Sequence, residues 1–264
     1  MEQKKELCLY DSNRMIDILA PVASALQKGD WYMKGGLIYY ATISPVNSGW
    51  NQTIPCPDRD CIRWLHIFFN AYNIVPKPCF GCFKIVTMPQ TVKDLMRVKT
   101  VQERMGLPAK CGIEERGYVE RNYGGYWYAP LGKGLKVARR LLNEVKKQLV
   151  FEFGEEAAPH TILKRGCTEM ERSWGPSHEW GYDVRLEMLY ELLEAGYAKI
   201  PVDHKDPSMK MPHTLNRWIE FAASIGDMTY KEFKPVLHPS PVDYTFENHG
   251  VEEEEIVVIG GDDE

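Results

Sequence analysis

Cys79-Phe80-Gly81-Cys82-Phe83-Lys84-Ile85-Val86-Thr87-Met88 carries the two signals on which the reading of this chain turns. Its first four residues place two thiols a tight turn apart. The rest, rich in aromatic and β-branched residues, reads as a strand. Immediately downstream the period changes. Thr91 and Asp94 form a capping-box-like pair, and Val92, Leu95, Val98, Val101 and Met105 line one side of the helix that follows, with Gly106 past its end.

Toward the C-terminus, Cys111–Val119 and Tyr126–Pro130 are expected to form a hairpin across Asn122-Tyr123-Gly124-Gly125. Gly134–Val150 is the clearest amphipathic helix, with Leu135, Ala138, Leu141, Leu142, Val145 and Leu149 on one face. The loop Gly154–Pro159 is the best internal boundary. Helices over Tyr182–Ala195 and Leu215–Ile225 and a short strand over Tyr197–Ile200 follow. Toward the N-terminus, Asp58 or Asp60 caps a helix from about Cys61 to Tyr72. A loop with Pro45, Gly49 and Pro55 precedes it, then a strand over Leu37–Ile43 and a helix over Ile16–Lys28 that Pro21 kinks.

Helices and strands mix without βαβ alternation, which predicts an α+β fold organised around a central cysteine-ligated metal site. The expected division is a metal-binding part over 1–153, a mainly helical part over 154–233 and an extended acidic tail over 234–264.

With 264 residues, 44% of them hydrophobic, the chain can bury a substantial core. The net charge of -5 comes from the end: Gly250–Glu264 holds seven acids and no base, and without it 32 bases face 30 acids. A near-neutral body argues neither for nor against nucleic acid. No apolar run approaches the roughly 20 residues that cross a bilayer, and the opening Met1–Cys8 lacks a signal-peptide core. The expectation is a cytoplasmic protein without a membrane partner, in a compartment where clustered cysteines are ligands rather than disulfides.

Four of the seven cysteines, Cys56, Cys61, Cys79 and Cys82, fall within 27 positions. Two short chelating loops around a folded-over segment are how tetrahedral thiolate sites are built, which points to zinc. Gly81 is expected to permit the tight Cys-Phe-Gly-Cys turn. The rival is an iron–sulfur cluster on Cys79, Cys82, Cys111 and Cys167. The last two each have an adjacent glycine, wide spacing suits a cluster, and Trp64, Phe68, Phe80 and Phe83 can wall it off from water.

Other chemistry is fainter. The segment Thr161–Trp180 holds Glu169, Glu171 and His178 as acid–base candidates beside Arg165, Cys167 and Arg172, although it equally fits a solvated loop or short helix. Glu114, Glu115, Arg116 and Arg121 flank the expected hairpin beside Tyr123, Tyr126, Trp127 and Tyr128. The basic helix face with Arg139, Arg140, Lys146 and Lys147 can track phosphates. Two functions are therefore expected. One is a zinc site that supports a surface for a protein or nucleic-acid partner. The other is an iron–sulfur enzyme or electron-transfer protein.

Overall fold

The computed structural model describes residues 31–34, 37–40, 49–56, 60–61, 63–182, 185–196 and 207–237. The expected helix over Ile16–Lys28, the strand over Tyr197–Ile200, the Asp58 cap and all of the acidic tail after residue 237 lie outside the described residues.

The fold is α+β. Its centre is a five-stranded antiparallel sheet of β3 (Trp50–Ile54), β4 (Phe83–Met88), β5 (Ala109–Ile113), β6 (Tyr123–Tyr128) and β7 (His160–Arg165), in the order β3-β5-β6-β4-β7. A separate two-stranded ladder joins β1 (Trp31–Lys34) to β2 (Leu37–Tyr40). Helix α1 (Asn70–Tyr72) continues a π-helical stretch over Arg63–Phe69, and α2 (Lys77–Phe80) leads into β4. The longer helices are α3 (Val92–Met105), α4 (Gly134–Phe153), α6 (Arg185–Gly196) and α7 (Pro207–Ser224), with the short α5 (Thr168–Trp174) after β7.

Alternation along the strands gives the sheet two different faces. One carries Ile85, Ala109, Cys111, Ile113, Tyr123 and Trp127, all buried against Val92, Leu95, Val98 and Val101 of α3, Val145 and Leu149 of α4, and Trp218 and Ala222 of α7. The Thr91 hydroxyl accepts a hydrogen bond from Asp94 N–H at 3.1 Å, so α3 begins where the capping pair places it. The Trp218 indole N–H donates to the Gly49 carbonyl at 2.7 Å and ties α7 to the start of β3. The other face carries Lys84, Lys110, Tyr126, Tyr128 and Lys164, matched across the β4–β6, β5–β6 and β4–β7 registers. A second core, with Trp64, Phe68, Phe69, Ile74, Val75, Cys79, Met170, Trp180 and Leu193, joins the π-helical stretch to α2, α5 and α6.

Within the five-stranded sheet, three elements differ from expectation. The expected loop before Cys56 contains β3, and the polar segment after Pro159 opens with β7. Both are short and carry polar residues that pair into a ladder only through distant partners. The β5–β6 pairing exists, but its register is Ala109↔Trp127 to Ile113↔Tyr123 and the connection runs over residues 114–122. Asn122-Tyr123-Gly124-Gly125 is therefore not the turn. Gly124 and Gly125 sit inside β6, where a Cβ on Gly125 would stand 2.7 Å from Thr87 and Val98 side chains. Across the boundary expected at Gly154–Pro159, β7 returns to pair with β4.

Candidate metal centre

The two cysteine-bearing ends of β4 and β7 meet. Cys79 lies in α2 and Cys82 follows it. The turn is held by N–H donation from Cys79 to Pro76 O (2.8 Å), Gly81 to Pro78 O (3.1 Å) and Cys82 to Cys79 O (3.2 Å). Gly81 is not needed for this turn. Its φ is -96°, and an added Cβ would meet nothing closer than 3.7 Å. The β4–β7 ladder extends past Phe83↔Arg165 by one bond, Gly166 N–H to Cys82 O at 2.9 Å. Cys167 comes next and precedes α5.

Lys84 stands among these thiols. It is only 9% exposed, and its Nζ donates to Cys167 Sγ at 3.2 Å. Burial opposes its charge, but Cys167 and Cys82, with Tyr128 and Cys61, hold its pKa well above the usual lysine value. Cys79 is pushed well up by burial first and then by the nearby Cys167, Cys82 and Cys61. Cys167 thus touches the buried ammonium, and Cys61, Cys79 and Cys82 lie within electrostatic reach of it. Crowded thiols resist joint ionisation, because each thiolate raises the cost of the next.

The remaining cysteines are elsewhere. Cys111 is on the opposite sheet face, fully buried, and burial pushes its thiol up to about 12. Cys56 lines a groove of about 530 Å³ with Leu107, Pro108, Tyr128, Val137, Arg140 and Leu141, and is not among the groups acting most on Cys79. No disulfide joins the described cysteines. Among the described residues, no three His, Cys, Asp or Glu side chains are drawn together as a preformed ion site. The donor chemistry of the four thiols does fit a metal. A metal would let all four ionise together, and Lys84 would offset the resulting negative charge.

The acid–base candidates are dispersed. Glu169 accepts from Arg116 and from Tyr118 Oη. Burial opposes its charge, but its backbone hydrogen bond and Arg116 outweigh burial and hold its carboxyl below the usual range. Arg116 also binds Glu114, which is 5% exposed. Glu171 pairs with Lys164 and accepts from Ser177 N–H. His178 is exposed at the surface, 3.5 Å from Glu179. Arg139, Arg140, Lys146 and Lys147 all lie exposed on the outer face of α4.

The sheet lysines were missed by sequence reasoning. Lys84 and Lys164 sit directly opposite each other. Burial and then Lys84 bring both Lys110 and Lys164 down to about 8. The available signal was a lysine within an otherwise apolar strand, Phe83-Lys84-Ile85-Val86. Comparison with known proteins finds no matching family, no matching curated protein and no matching solved structure. Among the described residues no helix is long and apolar enough to cross a membrane.

Proposed function

We propose that this chain is an iron–sulfur protein, with Cys61, Cys79, Cys82 and Cys167 as cluster ligands, working in electron transfer or redox catalysis. The observation that carries the reading is Lys84. A buried ammonium hydrogen-bonded to a cysteine sulfur, with three further thiols around it, is costly unless those sulfurs bear charge. Cluster-bound thiolates supply that charge, and hydrogen bonds to the sulfurs tune the potential of such centres. The fourth ligand comes from far along the chain, which suits a cluster better than a zinc loop. Phe80, Trp180 and Trp64 supply an apolar wall beside it.

The test is iron and sulfide analysis with a visible spectrum on protein purified without oxygen. Iron with acid-labile sulfide is expected, lost in Cys167→Ala and retained in Cys111→Ala. Retention in both variants overturns the ligand set.

The exposed cationic row on α4 favours a second reading, zinc on Cys56, Cys61, Cys79 and Cys82 supporting a protein- or nucleic-acid-binding surface. Stoichiometric zinc in a colourless sample, with nucleic-acid binding abolished by Arg139→Glu plus Lys146→Glu, would establish it.

A further inference from the structure

Beyond the thiols, the same sheet face holds cations that the proposed cluster does not use. Lys110 lies opposite Tyr126 in the β5–β6 register. Its Nζ stands 4.6 Å from the Trp50 ring centroid and 5.4 Å from that of Tyr126. Arg121 reaches the same tyrosine. Its Cζ is 5.6 Å from the ring centroid, and its Nη2 donates to Tyr126 Oη at 2.5 Å. Among the described residues its Nε is buried with no hydrogen-bond partner, and a Cβ added at Gly124 would stand 3.4 Å from it and from the Trp50 ring.

The other charges nearby are taken. Arg116 is held by Glu114 and Glu169, Lys164 by Glu171, and Lys84 by Cys167. Among the described residues neither Lys110 nor Arg121 has a carboxylate partner. Two cations thus meet the Tyr126 ring, one of them with an orphaned N–H, and among the described residues no carboxylate pairs with either. A planar guanidinium fork beside a point-charge ammonium suits an oxyanion.

We propose that Lys110 and Arg121, on the floor of Trp50 and Tyr126, bind a small oxyanion, either carboxylate or phosphoryl, that is the anionic handle of the molecule handled by this face of the sheet. As the substrate class of the redox centre, the inference rests on the iron–sulfur reading. As a binding site, it stands without it.

The experiment is calorimetric titration of the full chain with inorganic phosphate and with malonate, at constant ionic strength, with iron measured on every sample. Saturable one-site binding of at least one anion is expected. Preference for phosphate identifies a phosphoryl handle, and preference for malonate a carboxylate. Lys110→Met and Arg121→Lys should each weaken binding roughly tenfold or more, while Lys146→Met on the outer face of α4 leaves it unchanged. Arg121→Lys keeps the charge and removes the fork, so it tests the site even if a neutral variant does not fold. Binding by iron-free protein supports the site and counts against the cluster. Iron-replete protein that binds neither anion overturns the site and leaves the cluster standing. Binding untouched by both variants also overturns it.

Discussion

Gly166 decides where Cys167 goes. Its φ is +67°, and an added Cβ would stand 2.6 Å from two ring atoms of Trp180. Both the backbone conformation and the space require glycine there. Gly166→Ala should cost about 1–3 kcal/mol in urea unfolding, and on the cluster reading it also lowers the iron content, since the thiol next to it is displaced. Asp227 is a second residue whose effect can be measured. Burial opposes its charge, but hydrogen bonds from Tyr123, Thr229 and Val92 N–H outweigh burial and hold its carboxyl below the usual range. A depressed carboxyl stabilises the fold above its unfolded pKa of about 4 and loses that contribution as pH falls through the folded value. The urea midpoint should therefore drop as pH falls below about 4, and Asp227→Asn should flatten that part of the profile. Neither role was visible in the sequence. Gly166 reads as a loop glycine and Asp227 as a polar residue after a helix, because their partners lie elsewhere in the chain.

At the level of elements, legibility followed how local the information was. Helix α3 was readable because cap, apolar stripe and stop all lie within one continuous stretch, and α4 because its apolar stripe runs unbroken. Strands β3 and β7 were not, since a short half-polar strand is defined by the ladder it joins. The Gly124-Gly125 pair misled for a related reason. Glycines signal a turn locally, but here Gly125 makes room for α3 against the sheet. Gln102 shows how far α3 depends on that contact. Fully buried, it accepts from Thr53 Oγ1 at 2.8 Å and donates to the carbonyls of Lys110 at 2.9 Å and Tyr126 at 3.2 Å. Gln102→Leu would strand these groups and should cost about 2–4 kcal/mol in urea unfolding. Thr91→Ala removes one cap on a helix also held by packing, and should cost about 1 kcal/mol.

Across the whole molecule, the sheet divides its labour between faces. One is covered by α3, α4 and α7 and supplies stability, and the other gathers Lys84, Lys110, Lys164 and the thiols. The α+β class was legible from the mixture of periods. The cysteines were legible as two alternative sets. Spacing along the chain grouped Cys56 with Cys61, while the cluster alternative put Cys167 with Cys79 and Cys82, as the fold does, but added Cys111, which lies on the opposite sheet face. If the cluster reading is right, metal-replete protein should melt above metal-stripped protein, because ligation favours the folded state alone. Scanning calorimetry on matched samples checks this, and equal Tm values would remove the centre as a stabilising element.

The single bond from Gly166 N–H to Cys82 O has a consequence for biosynthesis. Cys61, Cys79 and Cys82 leave the ribosome well before Cys167 does, and they meet it only when β7 zips against β4. On the cluster reading, the ligand set is therefore incomplete until β7 has been made, and a shared centre can close only after that strand has paired.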